Sequence, residues 1–297
     1  MSKGALSSQG ATIAVPVGPA VRPSGLRRLR PRGRAALAVG IALLVAIGLA
    51  SLLAPYLTSY DPIEQDLRNA LRPPDAVHIF GTDNFGRDIF ARVLYAAKLN
   101  LTIGILCVLF PSVLGVVLGG IAGYFGGFAD TVIMRVVDTF TAFPFLIMVI
   151  GIIAILGPGL VSLYIALTLA GWTVYARIVR AEVLVAKKSE YILAARALGF
   201  SNTRIIFGHV LPNVIVPALI FAATDIVLVI LSTTSLSFLG LGVQPPTPEW
   251  GTMIAEGRTF IMSAWWMVTL PGLAIVIVSA ALSLFSDGLA DTLRRKD

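Results

Sequence analysis

Long, mostly apolar stretches recur along this sequence, and their length constrains the fold more than any other feature. They lie at residues 35–57, 99–123, 131–156, 160–180, 213–240 and 265–287. About 20 apolar residues in a helix cross the hydrocarbon core of a bilayer, and there a helix satisfies its own backbone hydrogen bonds. The sequence therefore predicts an all-α, polytopic membrane protein with six transmembrane helices.

The composition agrees with a membrane location. Hydrophobic residues make up 57% of the sequence and charged residues 13%, far from the averages of soluble domains. The net charge of +7 could indicate a nucleic-acid partner, but Lys and Arg cluster beside the apolar stretches and form no stripe interleaved with aromatics. We therefore expect the lipid bilayer, and no nucleic acid, as a partner. Cys107 is the only cysteine, which excludes an internal disulfide and a Cys-rich metal site.

Basic residues next to the apolar stretches predict the orientation of the chain. Residues 1–34 have no apolar face, which predicts a disordered basic tail before a membrane domain at 35–292. Positive residues favour the cytoplasmic side of a membrane. They occur at both ends of the chain: Arg27, Arg28, Arg30, Arg32, Arg34, Arg294, Arg295 and Lys296. We expect a multi-pass inner membrane protein with both termini cytoplasmic. A cleaved signal peptide is disfavoured, because the stretch at 35–57 exceeds the usual apolar region of about 7–15 residues.

The polar loop at 58–98 is predicted to lie on the external side. Asp61-Pro62 and Pro73-Pro74 break any long helix there. The loop contains the string Gly81-Thr82-Asp83-Asn84-Phe85-Gly86-Arg87-Asp88. We expect Asp83 and Asp88 to accept hydrogen bonds from backbone amides, as a turn and a helix cap. A separate interfacial helix is predicted next, with one apolar face formed by Ile89, Phe90, Val93, Leu94 and Ala97.

Two patterns inside the spans concern helix packing. Gly115, Gly119 and Gly123 recur at every fourth residue, so a neighbouring backbone can approach that face closely. Arg135 and Asp138 stand three residues apart near the start of the span at 131–156. We expect these two side chains to neutralise each other.

The stretch Glu190–Pro212, here named the polar segment, lies between two apolar stretches. It is predicted to form two short amphipathic helices joined at Gly199, because glycine supplies the left-handed turn that ends a helix. Ser201 or Asn202 would cap the second helix. The expected apolar positions are Tyr191, Ala194, Ala195 and Leu198 in the first helix and Ile205, Ile206 and Val210 in the second. Nearby basic residues predict a cytoplasmic location, where a second protein could bind the segment.

The spacing of Ala-Ala, three residues, Gly, and then Leu-Pro resembles the cytoplasmic loop signature of permease subunits in bacterial ATP-binding-cassette importers. In that family the loop helix docks into a groove on the ATPase. The resemblance implies a coupling helix at about 190–200 and assigns ATPase coupling to Glu190, Ala194, Ala195, Arg196, Gly199, Leu211 and Pro212. Leu193 and His209 depart from the family pattern, which has Glu and Ile there. These departures put the salt bridge of the family Glu in doubt.

The string at 81–88 resembles the C-type subunits of the dipeptide, oligopeptide and nickel branch of the same family. The resemblance covers about 35–292 and implies a type I importer permease fold. Its implied partners are a homologous B-type permease, two ATPases, an external substrate-binding protein and a peptide substrate. ATP and Mg would be used by the ATPases, because this sequence has no Gly-x-x-x-x-Gly-Lys-Ser/Thr loop. We expect a transport subunit that is not an enzyme and binds no cofactor or metal.

The span at 213–240 is the most polar and supplies the candidate translocation-path residues: Thr224, Asp225, Ser232, Thr233 and Ser235. A carboxylate at membrane depth is costly and rarely faces lipid. Asp225 therefore either lines the path, where it could meet the amino terminus of a peptide, or makes a hydrogen bond between helices. Two alternatives for the whole chain remain. One is a nickel importer permease of the same family, and the other is an ion-coupled secondary transporter that works alone.

Overall fold

Helices account for most of the computed structural model, which describes residues 32–293. In chain order they are α1 (Arg32–Leu52), α2 (Ala54–Leu57), α3 (Ile89–Phe125), α4 (Gly127–Thr141), α5 (Phe145–Leu156), α6 (Leu160–Ala186), α7 (Glu190–Ala197), α8 (Asn202–Ile205), α9 (Leu211–Phe238), α10 (Trp250–Gly257) and α11 (Trp266–Leu293). The predicted tail up to residue 31 and the basic residues at 294–296 lie outside the described residues. Residues 32–34, predicted as tail, belong to α1.

Five helices of the described chain are long and apolar enough to cross a membrane: α1, α3, α6, α9 and α11. A sixth span exists only if α4 and α5 are counted together, and this pair is bent by 90°. The span predicted at 131–156 is therefore broken into two helices, α4 and α5. Pro144 explains the break, because proline lacks an N–H donor and disfavours helical geometry at Phe143 before it.

The predicted boundary between the loop at 58–98 and the second span is also wrong. No separate interfacial helix precedes residue 99, because α3 runs without interruption from Ile89 to Phe125. Asp88 caps it, since its Oδ1 accepts a hydrogen bond of 2.8 Å from the N–H of Ala91. The C-terminal end of α6 also differs from the prediction, because the helix continues past residue 180 and ends at Ala186.

Glycines bring two pairs of helices into backbone contact. A Cβ atom on Gly115 or Gly119 of α3 would collide with the backbone of α6 at Trp172 and Ala176. The close approach predicted from the glycine spacing is confirmed. In the same way, α1 and α11 meet where Gly288 leaves room for the backbone of Leu37.

The end of the bundle that carries residues 58–88 holds a buried ionic network. Arg87 donates to Asp83 at 2.5 Å and to Glu256 of α10 at 2.9 Å, and Arg92 donates to Glu256 at 3.2 Å. Both arginines are almost fully buried, and Asp83 also accepts from the N–H groups of Phe85 and Arg87. The predicted turn and cap roles of Asp83 and Asp88 are confirmed. The network additionally joins the loop to α10, which the sequence did not indicate.

Indole groups strengthen the same end. Trp250 of α10 donates from Nε1 to the carbonyl of Val93 at 3.2 Å, and Trp266 of α11 donates to the carbonyl of Thr82 at 3.0 Å. Each bond joins segments far apart in the chain, while the ring supplies a large apolar surface for packing. The loop at 58–88 is therefore held against α3, α10 and α11.

Candidate functional site

The polar segment lies at the opposite end of the bundle, where α6 ends and α9 begins. Its first helix, α7, ends in a turn with two hydrogen bonds: the N–H of Phe200 donates to the carbonyl of Ala195 at 3.1 Å, and that of Gly199 to Arg196 at 2.9 Å. Gly199 has a φ of 78°. This pair of bonds with a left-handed glycine is the Schellman motif. The turn predicted at Gly199 is confirmed.

The faces of α7 differ from the expectation. Its buried residues are Ile192 and Ala195, whereas Tyr191, Ala194 and Leu198 are exposed. The predicted apolar face was therefore wrong in three of its four positions. The helix is anchored by one narrow strip and leaves Leu198 75% exposed. Tyr191 and Leu193 are exposed on the same short helix, and this group of apolar side chains is a candidate contact for another protein.

Contacts with α3 fix the polar segment to the bundle. The hydroxyl of Tyr124 donates to Oδ1 of Asn202 at 2.8 Å, and the guanidinium of Arg196 lies 5.6 Å from the centre of the Tyr124 ring. Lys187 donates to the carbonyl of Tyr124 at 3.0 Å, which places a positive charge at the C-terminus of α3. The segment thus moves only with the ends of α3 and α6 or by breaking these contacts.

The second half of the polar segment begins with a side-chain cap and continues through a π-helical turn. Oγ of Ser201 accepts from the N–H of Arg204, as predicted for one of the two capping candidates. Residues Ile206–Val210 form the π-helical turn that leads into α9, which starts at Leu211 and Pro212. Such turns often occur at functional positions in helices.

Ion pairs join α4 to α6 near the same end. Arg180 donates to both oxygens of Asp130, with the Nη2 bond at 2.7 Å, and Arg177 donates to Asp138 at 2.8 Å. The prediction that Asp138 pairs with Arg135 is wrong, because α4 packs beside α6 and the side chain of Arg177 reaches Asp138 from there. Residues three apart in one helix can form an ion pair, but Asp138 pairs instead with Arg177 on the neighbouring helix.

A second candidate site is a cavity of about 420 Å³ between α3, α5, α6 and α9. We name it the Asp225 cavity after the one charged side chain that the described part of the chain contributes to its wall. It is lined by Cys107, Pro111, Phe145, Leu146, Leu167, Gly171, Val174, Phe221, Asp225, Leu228, Val229 and Ser232. Phe221, Asp225, Leu228 and Ser232 share one face of α9, as their helical spacing requires. Asp225 and Ser232 are thus brought together by the fold.

Within residues 32–293, the carboxylate of Asp225 has one hydrogen-bond partner. Its Oδ2 accepts a hydrogen bond of 2.7 Å from the hydroxyl of Tyr175 on α6. Of the two interpretations of Asp225 that the sequence left open, the interhelical hydrogen bond is present. The residue also lines a cavity.

The other three candidate path residues do not line this cavity. Thr224 pairs with the hydroxyl of Ser286 on α11 at 2.7 Å. Thr233 and Ser235 donate to carbonyls of their own helix, at Ile230 and Leu231. A hydroxyl bonded to its own helix is satisfied locally and needs no ligand.

Comparison with known families gives a match over residues 115–296 to the binding-protein-dependent transport system inner membrane component. The chain belongs to this family. Residues 27–74 of the permease also match the N-terminal transmembrane domain of oligopeptide transport permease C. The two matches together support the resemblance that the motifs at 81–88 and 194–212 indicated, and that resemblance is confirmed.

Relatives at high identity cover most of the permease. A putative peptide transport system permease protein of Brucella suis biovar 1 is 43% identical over 91% of this chain and 91% of its own length. The dipeptide transport system permease protein DppC of Alkalihalophilus pseudofirmus is 42% identical over 87% of this chain and 85% of its own. A probable D,D-dipeptide transport system permease protein of Escherichia coli K12 is 37% identical over 86% and 85%. These relatives are transport permeases, as expected for a multi-pass inner membrane subunit.

Solved structures share the fold at low identity. The MetNI methionine transporter, an ATP-binding-cassette protein, aligns with a TM-score of 0.52 and 19% identity, over 68% of this chain and 96% of that chain. An amino acid transporter of the same class aligns with a TM-score of 0.53 and 14% identity, over 69% and 94%. The predicted ABC importer permease fold is confirmed.

Sequence reasoning missed the hydrogen-bond partner of Asp225 and several residues that line the Asp225 cavity. Tyr175 lies within a predicted span, and nothing in its sequence neighbourhood points to a carboxylate 50 residues later. Pro111 gave a usable signal, because a proline inside an apolar helix removes a backbone donor and often marks an irregular site. Phe145 and Leu146 line the cavity only because α5 departs from α4 at Pro144.

Proposed function

We propose that this permease is the membrane-spanning subunit of an ATP-driven importer for dipeptides or oligopeptides. The observation that carries the proposal is identity of about two fifths to peptide transport permeases along nearly the whole chain, 43% over 91% of it in one case. The match at 27–74 to oligopeptide transport permease C supports the same substrate class. The relatives named above give no support to nickel as the cargo.

The proposed complex contains this chain, a homologous B-type permease, two cytoplasmic ATPases and an external substrate-binding protein. The family description names a binding-protein-dependent system, and the structural neighbours come from ATP-binding-cassette transporters. ATP and Mg would bind to the ATPases. In this arrangement both termini and the polar segment lie in the cytoplasm, and residues 58–88 with α10 lie outside.

The polar segment is proposed to couple ATP hydrolysis to transport. Its exposed residues Glu190, Ala194 and Arg196 would contact an ATPase, while the strip at Ile192 and Ala195 holds α7 on the bundle. Gly199 sets the direction of the chain after α7, and Leu211 and Pro212 begin α9. Energy reaches α9 only if the ATPases bind the polar segment differently in the two transport states.

Asp225 and Ser232 are proposed to contribute to the translocation path. They share the cavity face of α9, whereas Thr224, Thr233 and Ser235 make the local or interhelical bonds described above. The path itself would run between this permease and its B-type partner.

The test is to purify the tagged chain from its native membrane in mild detergent and to identify the proteins that accompany it by mass spectrometry. We expect a second permease and ATPases in near-equal amounts, and ATP-dependent uptake of a radiolabelled dipeptide after reconstitution with the binding protein. Nickel uptake with no peptide uptake would reject the substrate class. Transport by the chain alone, without ATP and abolished in Asp225→Asn, would instead support an ion-coupled transporter.

A further inference from the structure

The Asp225 cavity combines apolar walls with a single carboxylate. Among residues 32–293, no Lys, Arg or His side chain forms an ion pair with Asp225 within 4.0 Å. The cavity volume of about 420 Å³ lies within the range of pockets that bind small molecules, roughly 300–1,000 Å³. A carboxylate in apolar surroundings is costly unless a positive or donating group accompanies it.

The partners of Asp225 leave one oxygen available. Tyr175 donates to Oδ2, and no described residue donates a hydrogen bond to Oδ1. The bond from Tyr175 orients the carboxylate, because the tyrosine is itself fixed by burial and by edge contact with the ring of Phe221, 5.0 Å between centres. A ligand donor therefore meets a carboxylate whose direction is already set.

A second acceptor is present on α3. Pro111 has no N–H, so the carbonyl of Cys107, four residues earlier, lacks its usual helical donor. Both residues line the cavity, and Gly171 of α6, which has no side chain, faces Pro111 there. This wall therefore has little side-chain cover. The hydroxyl of Ser232 adds a third polar group. Acceptors thus outnumber donors along an otherwise apolar surface.

We propose that the Asp225 cavity binds an apolar primary ammonium, namely the amino-terminal residue of a peptide that has an apolar side chain. The ammonium would bind Oδ1 of Asp225, and the side chain would pack against Phe145, Leu146 and Leu228. An anion would meet the carboxylate unfavourably, and an N-acetylated residue carries no charge to compensate it. The naming of a peptide rests on the proposed function, whereas the preference for an apolar ammonium rests on the cavity alone.

Binding is measured on the purified full complex with two probes of matched shape. Phenylalaninamide carries the ammonium, and N-acetylphenylalaninamide is neutral. We expect phenylalaninamide to bind at least about tenfold more tightly, because a hydrogen bond to a charged group contributes roughly 1.5–3 kcal/mol. Asp225→Asn should remove this preference, and Asp287→Asn, which changes an exposed carboxylate at the end of α11, should keep it.

A second substitution in the cavity wall locates the bound probe independently of Asp225. If Asp225→Asn fails to assemble, Leu146→Trp decides the question, since a larger ring at this half-exposed wall position should fill the cavity and weaken binding.

Equal binding of the two probes, or binding unaffected by both substitutions, would overturn the inference. ATP-driven peptide uptake measured on the same preparation separates this result from the proposed function. Peptide uptake without probe binding would reject the proposed ammonium site in the cavity and leave the proposed importer function standing. Probe binding that follows the expected pattern without peptide uptake would keep the site and reject the importer.

Discussion

Gly199 gives the sharpest test of the polar segment, because the effect of a substitution there comes from the backbone alone. The residue has a φ of 78°, and a Cβ added to it would meet no atom within 4 Å. An L-residue in this conformation costs roughly 1–2 kcal/mol, which shifts the population of the turn by a factor of about 5–30. Branching at Cβ raises this conformational cost further for valine, whereas asparagine adopts the left-handed region at a lower cost.

We therefore expect Gly199→Val to lower ATP-driven peptide uptake by at least about fivefold and Gly199→Asn to remain close to the wild type. Uptake is measured in proteoliposomes and divided by the amount of assembled complex, so that insertion and assembly are counted separately. Gly208→Val is the matched control. Gly208 lies in the same segment, has open space around it and has no positive φ. A valine at this position therefore adds bulk without backbone strain. Unchanged uptake in Gly199→Val, or equal loss in the asparagine variant, would refute the argument.

Three further predictions concern stability. Arg92→Met removes the hydrogen bonds that this buried guanidinium donates to Glu256 and to the carbonyl of Pro62, while Arg87 still pairs with Glu256, and it should lower the free energy of unfolding by about 1–3 kcal/mol. Arg72→Met breaks an exposed pair with Asp75 and should cost less than about 1 kcal/mol in the same thermal unfolding assay. Burial raises the pKa of Glu249 in the folded protein, so ionisation of this side chain destabilises the fold as the pH rises above the pKa of the unfolded chain. The Tm of Glu249→Gln minus that of the wild type should therefore be larger at pH 8 than at pH 5. A Tm difference that does not change with pH would contradict this. Ser201→Ala should speed amide exchange in α8 through loss of a cap, whereas Ser189→Ala, where the side chain makes no cap bond, should not.

Features that depend on one stretch of chain were predictable from the sequence. The long apolar stretches gave the helical membrane fold, the glycine spacing in α3 gave its close contact, and Asp88 gave the start of the helix that follows it. The turn at Gly199 and the cap at Ser201 follow the same rule. Each is decided by local backbone geometry or by the period of a helix, which a sequence displays directly.

Features that depend on distant partners were not predictable in this way. Asp138 pairs with Arg177 because α4 lies beside α6, and Tyr175 meets Asp225 because α6 lies beside α9. The apolar face of α7 was misjudged for a related reason. The helix has eight residues and little amphipathic pattern, so the surface it rests on, at Ile205 and Val210, decides which residues are buried.

The backbone contact between α3 and α6 has a practical consequence for measuring motion. At Gly115 and Gly119 the backbone of α3 packs directly against the backbone of α6 at Trp172 and Ala176, which leaves little room for the helices to slide. We expect the pair to stay at constant separation through the transport cycle, since a packed interface of this kind has one arrangement rather than a continuum. Spectroscopic labels placed on the outer faces of these two helices would therefore give a fixed reference distance within the protein. Distances from either label to α5, α7 or α9 could then be read as displacement of those helices alone.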